Sequence, residues 1–170
     1  MAGDAVDAPG PATPSPLTHV RADGTAHMVD VSAKAVTARR ACAAGRVLLS
    51  PAAVSALRDG VVPKGDALGV ARVAGIQAVK RTPDLIPLAH PVAVHAVEVD
   101  LDVTDDGVDI RAVVRTADRT GIEMEALTAV AVAALALIDM VKAVDKHARI
   151  TDVRVTAKSG GRSGDWEEAT

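Results

Sequence analysis

Charged side chains flank one long apolar segment, with two acids at one end and an acid–base pair at the other. Glu123 and Glu125 precede residues 126–138, which carry no charge, and Asp139 and Lys142 follow them. An alanine-rich run of this length is typical of a helix, and a helix that is apolar on every side must be buried in a core or between subunits. Carboxylates and ammonium groups beside apolar surroundings acquire shifted pKa values, which suits proton transfer.

The acids and the lysine of this segment each have a plainer explanation. Asp139 and Lys142 are three residues apart and share one helix face, as a surface ion pair or as a buried acid–base pair. Glu123 sits where an acid is electrostatically favourable at a helix N-terminus. Glu125 lies directly against the apolar run, which favours a role in chemistry.

A lysine stands in a Lys-Gly-Asp turn between two predicted helices. Gly65 permits an unusual backbone angle, and Asp66 is a predicted N-cap. Lys64 would then be held at a helix N-terminus, where anions bind. The alternative is an ordinary turn with a solvated lysine.

One histidine is bracketed by prolines in an apolar loop. Pro87 and Pro91 restrict the backbone on either side of His90. A structural histidine is the usual explanation, but a rigidly placed ring can also serve as a hydrogen-bond donor or general acid. The histidines lack the compact spacing of metal ligands, so we predict no protein-built metal site and no cofactor.

A Gly/Ser loop near the C-terminus carries two cations. Residues 157–165 include Lys158 and Arg162, and such loops can wrap phosphate with backbone N–H groups and charge. A flexible tail is the alternative, and the spacing of a P-loop is missing. Together, the lysine turn, the fixed histidine, the acids and this loop suit acid–base chemistry on a phosphorylated small molecule.

The elements that must position these groups follow the order β-α-α-β-β-α-β. Segment 92–103 alternates apolar and acidic residues, as expected of a strand with one buried face. The prediction is an α+β, ferredoxin-like antiparallel sheet covered by helices on one face. The predicted strands are 29–31, 36–49, 92–103, 108–116 and 150–157, and the predicted helices are 51–60, 66–81 and the long segment after Gly121.

Composition limits the class of protein. The 170 residues are 49% apolar, yet Trp166 is the one aromatic residue, so burial between subunits is expected to add to an alanine-rich core. The net charge of −3 argues against non-specific nucleic-acid binding. The single Cys42 fits a reducing compartment, and the uncharged run is shorter than the roughly 20 residues that span a bilayer.

The ends of the chain differ from its middle. Residues 1–16 contain four prolines and no Lys or Arg. They therefore predict a disordered N-terminal tail without a signal peptide, and hence a cytoplasmic protein. The expected domain covers 17–166, and residues 167–170 form a short C-terminal tail.

Six sequence blocks are distributed along residues 17–166. They are HMVDVSAK, KGD, ARVAGIQAVKRTPDLIPLAHP, GIEMEALTAVAVAAL, DMVKAVDK and AKSGGRSGDW. In this order they resemble the molybdenum cofactor biosynthesis protein C family, the cyclic pyranopterin monophosphate synthases. Ala89 stands where the family often has Cys, and Arg119 and Arg162 where Lys is common.

The resemblance implies a phosphorus–oxygen lyase of molybdenum cofactor (molybdopterin) biosynthesis. Its substrate would be 3′,8-cyclo-7,8-dihydroguanosine 5′-triphosphate, made by a radical partner enzyme, and its products cyclic pyranopterin monophosphate and diphosphate. It also implies a homohexamer built as a trimer of dimers, with neither nucleic acid nor membrane as partner. By matching motifs, the resemblance assigns catalytic roles to Lys64, Asp139 and Lys142, and substrate contacts to Leu88, Ala89, His90, Glu123, Met124, Glu125 and Lys158.

The implied chemistry agrees with these residue types. Glu125, Asp139 and a desolvated lysine could move protons at ring nitrogens, and Lys158 could stabilise the departing diphosphate. Two other classes stay open: a nucleotide-binding regulatory module without chemistry, and a structural assembly protein that uses the apolar helix to oligomerise. The first has no need of a carboxylate beside its cations, and the second leaves Lys64 and His90 unexplained.

The length of the apolar helix predicts a site shared between subunits. A helix rises about 1.5 Å per residue, so Glu125 and Asp139 are about 21 Å apart along its axis. We expect one end to serve a neighbour's pocket. On this expectation Lys64 belongs with His90, and variants lacking Lys64 and Asp139 would complement each other.

Overall fold

Five strands form one antiparallel sheet in the computed structural model, which describes residues 19–21 and 23–169. The sheet order is β2-β3-β1-β4-β5, so β3 lies between the two strands that the first helices connect. This is the ferredoxin-like arrangement, and the predicted α+β class is confirmed. The strands are β1 (Thr37–Leu48), β2 (Val94–Val103), β3 (Gly107–Asp118), β4 (Arg149–Ser159) and β5 (Trp166–Glu167).

In the described residues, four helices connect the strands. The predicted helix starts are confirmed, because the Ser50 side chain accepts from the Ala53 N–H and the Asp66 side chain from the Gly69 N–H. The predicted helix 66–81 is followed directly by a further short helix that was not predicted, which begins at Thr82 with Pro83 in its first turn. The helices are α1 (Pro51–Arg58), α2 (Ala67–Val79), α3 (Thr82–Leu85) and α4 (Glu123–Val141).

The long helix α4 packs against one face of the sheet and against α2. Gly75 of α2 lies so close to α4 that a Cβ there would be 2.9 Å from the Ala129 carbonyl oxygen. Small residues such as Ala129 and Ala133, both fully buried, permit this approach. By length and composition α4 could cross a membrane, but 56% of its most apolar window is buried inside this protein, as in a core helix.

The opposite face of the sheet is polar, as expected. Arg115 of β3 pairs with Glu98 of β2, and Arg46 of β1 lies 3.0 Å from Asp109. The helices therefore cover one face of the sheet and leave the other to charged side chains.

Two short segments differ from expectation. Residues 29–31 form no strand, and the Val29 carbonyl oxygen instead lies 2.8 Å from the His90 ring. Two valines in three residues cannot distinguish a strand from an extended loop. The two-residue strand β5 was not predicted and pairs with Ala157 and Lys158. The predicted tail 1–16 lies outside the described residues.

Candidate active site

Two lysines hold one carboxylate at the C-terminal end of α4. Lys64 comes from the loop before α2, and its Nζ lies 2.7 Å from Asp139 Oδ2. Lys142, at the helix C-cap, places its Nζ 2.7 Å from Asp139 Oδ1. Hydrogen bonds from Lys142 and then Lys64 lower the pKa of Asp139 to about 2, so this carboxylate is charged at neutral pH.

The lysine–aspartate cluster changes the expected partner of Lys64 and shows how exposed the Asp139–Lys142 pair is. Lys64 lies with Asp139 rather than with His90, because the loop before α2 folds back onto the end of α4. The Asp139 side chain is 55% exposed, so within one chain the pair with Lys142 is a surface ion pair. The cluster presents two ammonium groups and one carboxylate to the solvent.

A buried acid lies at the other end of α4. Glu125 is in the first turn of the helix and is 2% exposed. Burial raises its pKa from 4.5 to about 7, with a smaller contribution from the charge of Glu123. A carboxyl with this pKa can both give and take a proton near neutral pH.

The second acid of that turn is paired with a cation. Glu123 Oε1 lies 3.2 Å from Lys158 Nζ, and Lys158 also donates to Ser163 Oγ over 2.7 Å. Both charged side chains are about two-thirds to three-quarters buried. The C-terminal loop therefore places its lysine directly beside the start of α4.

A cavity of about 600 Å³ gathers the predicted substrate contacts. His90 and Glu125 both line it, although 35 positions separate them in the sequence, because the loop before β2 and the first turn of α4 meet there. The predicted contacts in its wall are Leu88, Ala89, His90, Glu123, Met124 and Glu125.

A second cavity of about 220 Å³ adjoins the first and is rich in cations. Lys34, Glu123 and Arg162 line both cavities, so the two form one continuous site. Lys158, the remaining predicted contact, lies in this second wall. Its cations are Lys34, Arg39, Arg40, Arg119, Lys158 and Arg162.

Three of these arginines were not identified from the sequence. Arg39 and Arg40 lie near the start of β1, and Arg119 directly follows β3, so no local pattern distinguishes them from surface arginines. Arg39 Nε donates to the Asp118 carbonyl over 2.9 Å, and Arg119 Nε donates to the Lys34 carbonyl over 3.0 Å. In both residues the guanidinium is thus oriented by a hydrogen bond from Nε to a main-chain carbonyl.

Glycine at position 161 makes room for one of them. Gly161 has φ +80°, and a Cβ there would lie 2.2 Å from Nη1 of Arg39. A side chain at this position would strain the backbone and displace the guanidinium.

The histidine is oriented by the backbone. His90 Nε2 lies 2.8 Å from the Val29 carbonyl oxygen, which can only accept. This bond assigns the proton to Nε2 and leaves Nδ1 for a ligand. A neutral ring would accept through Nδ1, and only a protonated ring would donate.

The two groups of charged residues do not meet within one chain. Glu125 and Asp139 are 14 residues apart on one helix, which is about 21 Å. Lys64, Asp139 and Lys142 do not line either cavity. In the described part of the chain no group of three His, Cys, Asp or Glu side chains could hold a metal ion, and the absence of a metal stays a prediction.

A ferredoxin-like fold that holds a buried acid beside a cationic cavity has the features of an enzyme site for a small molecule. The chain belongs to the MoaC family, whose family model matches residues 28–161.

Curated relatives match nearly the whole chain. This chain is 63% identical to a protein of Streptomyces avermitilis over 96% of both chains. It is 65% identical to one of Nocardioides sp. over 91% of this chain and 96% of the relative. It is 59% identical to a protein of Corynebacterium efficiens over 89% of this chain and 98% of the relative. Each of these relatives is named cyclic pyranopterin monophosphate synthase.

Proposed function

We propose that this protein is a cyclic pyranopterin monophosphate synthase of molybdenum cofactor biosynthesis. It converts 3′,8-cyclo-7,8-dihydroguanosine 5′-triphosphate to cyclic pyranopterin monophosphate and releases diphosphate. The observation that carries this proposal is the continuous site, in which the buried acid Glu125 adjoins a cavity lined by six Lys and Arg side chains. The relatives are named for the product, cyclic pyranopterin monophosphate, and the family resemblance supplies the substrate and the release of diphosphate.

The two cavities divide the chemistry. The larger cavity holds the proton-transfer groups, Glu125 and the free Nδ1 of His90, beside space for a pterin-sized ring system. A carboxyl with a pKa of about 7 can shuttle protons at ring nitrogens while the ring opens and closes. The smaller cavity holds cations that stabilise the charge developing on diphosphate as the cyclic phosphate forms.

We further propose that the lysine–aspartate cluster completes the cavity of a neighbouring subunit. It lies about 21 Å from Glu125 within one chain, which is too far for one small substrate. The cluster lies beside α2 and at the end of α4, and both helices expose apolar side chains. These are Val70 (46%) and Val73 (66%) on α2 and Leu135 (58%) on α4. Contact between copies through this surface would bury them, and a trimer of dimers is the assembly we expect.

Sedimentation tests the assembly. Leu135→Asp places a charge in the proposed contact and should shift the protein toward smaller species at micromolar concentration. A wild-type protein that sediments as a monomer would contradict the shared site.

The cysteine content bears on location. The single Cys42, buried and free, agrees with the cytoplasmic location that we propose.

Subunit mixing tests the shared site directly. Lys64→Ala disables the cluster, and Glu125→Gln disables the cavity, so a mixed dimer of these inactive variants contains one intact site and should recover part of the activity. The matched control is Lys64→Ala mixed with Asp139→Asn. Both lie in one cluster, so that mixture should stay inactive. Equal recovery in both mixtures, or none in either despite proven exchange, would refute a site assembled from two subunits.

The reaction is tested by incubating the purified protein with the cyclised GTP intermediate. Mass spectrometry should show the cyclic monophosphate, and an enzymatic assay should show one diphosphate for each product. Tight binding of the intermediate without either product would favour a nucleotide-binding regulatory module instead.

A further inference from the structure

Residues 28–34, here termed the strap, cross the site without regular secondary structure. Val29 and Val31 are half-buried and line the 600 Å³ cavity on one side and a cavity of about 460 Å³ on the other. The strap therefore has open space on both sides and does not rest on the packed core. Its position must come from specific attachments.

Two side chains attach the strap to the rest of the described chain by hydrogen bonds. His90 holds the Val29 carbonyl over 2.8 Å, and Arg119 Nε holds the Lys34 carbonyl over 3.0 Å. The other hydrogen bonds recorded for the strap are internal to it. One attachment lies near each end, and the one at Lys34 is next to the cationic cavity.

The side chain of Lys34 is exposed and lines both cavities. Its ammonium group sits on a flexible four-carbon stem, so its location depends on where the backbone is held. We propose that Arg119 is a positioning residue, whose hydrogen bond to the Lys34 carbonyl fixes the strap so that the Lys34 ammonium meets the diphosphate. This inference rests on the proposed function only in treating the cationic cavity as the diphosphate site.

The attachment can be separated from the charge because the acceptor is a main-chain atom. Lys34→Ala removes the ammonium and keeps the Arg119 bond. Arg119→Ala removes the bond and keeps the lysine. If Arg119 acts through Lys34, its removal from a Lys34→Ala protein should have no further effect, and a double-mutant cycle measures this coupling.

The probe is inorganic diphosphate, with binding measured by calorimetry on the full chain. Each single variant should weaken binding about tenfold, near the lower end for a charge-assisted hydrogen bond, and the double variant should be no weaker than the weaker single one. Hydrogen exchange of the peptide that covers the strap, measured without ligand, should accelerate in Arg119→Ala and stay unchanged in Lys34→Ala. A merely structural role elsewhere would not produce this pattern.

Arg162→Ala is the matched control. It removes another cation of the same cavity, one that makes no hydrogen bond to the strap within the described residues. It should weaken diphosphate binding without changing strap exchange, and its effect should multiply with that of Lys34→Ala. Arg119 is exposed, so its truncation should leave the protein folded.

Two results would each overturn the proposal. If the losses from Lys34→Ala and Arg119→Ala multiply to about 100-fold, Arg119 binds diphosphate independently. If strap exchange is the same in Arg119→Ala and wild type, the bond does not hold the strap. Failure of the wild type to bind diphosphate would instead count against the proposed function, while the ligand-free exchange comparison would still decide the role of Arg119.

Discussion

The buried carboxyl of Glu125 should make stability depend on pH in a way that one substitution isolates. Burial raises its pKa from 4.5 to about 7. Between those values the folded protein holds a proton that the unfolded chain has released. By linkage, the Glu125 contribution is fully present below about pH 4.5, and the free energy of unfolding falls as pH rises through about 7.

The size of the effect follows from the size of the pKa change. One pKa unit corresponds to about 1.36 kcal/mol, so ionising Glu125 in the folded protein costs about 3 kcal/mol. Glu125→Gln has no charge to desolvate and escapes this cost. We therefore expect the stability of the variant relative to wild type to rise by about 3 kcal/mol between about pH 4.5 and pH 8.

Urea unfolding followed by fluorescence measures this difference, because Trp166 is the one aromatic residue of the chain. Protein concentration must be the same in all samples, since assembly contributes to stability. Effects of pH on the other carboxylates are common to both proteins and cancel in the comparison.

The matched control is the same Glu→Gln substitution at Glu98, a carboxylate whose pKa is lowered rather than raised in the folded protein. A hydrogen bond from Arg115 lowers the pKa of Glu98, so Glu98 stabilises the fold at neutral pH and loses this contribution as pH falls through its lowered pKa. Glu98→Gln should thus be less stable than wild type at pH 8, and the gap should close in acid. If Glu125→Gln differs from wild type equally at pH 5 and pH 8, the carboxyl titrates normally and the proposed proton shuttle loses its basis.

Two further outcomes test the two ends of the site. Asp139→Asn and Lys142→Ala should each lower turnover roughly 100-fold or more, the usual contribution of a positioned acid or base. Circular dichroism and assembly should stay normal. Turnover near the wild-type rate would mean that the two residues form only a surface ion pair. Gly161→Ala should weaken diphosphate binding in calorimetry because it displaces the Arg39 guanidinium. Gly164→Ala, with a similar φ of +70° but no atom within 4 Å of its Cβ, is the control and should bind normally.

Local sequence patterns were sufficient for most of the fold. The Ser50 and Asp66 caps, the alternation in β2 and the uncharged run of α4 are each contained in a few neighbouring residues, and the structure confirms the elements they predict. Short elements without such a pattern were missed, because two valines at 29–31 or two residues of β5 carry too little information. The motif blocks named the predicted substrate contacts that line the two cavities, but they did not identify Arg39, Arg40 or Arg119.

Which of those residues meet was decided only by the tertiary structure. Lys64 and Asp139 are 75 residues apart, and their contact depends on how a loop folds over the end of α4. In the sequence Arg39 and Arg119 cannot be distinguished from surface arginines. In the structure the start of β1, the end of β3 and the C-terminal loop meet at one cavity, which both arginines line. The sequence placed Glu125 against an apolar run, but its pKa of about 7 depends on the burial that folding imposes. Side-chain types and helix periodicity are local properties, whereas contacts and desolvation arise from packing between distant segments.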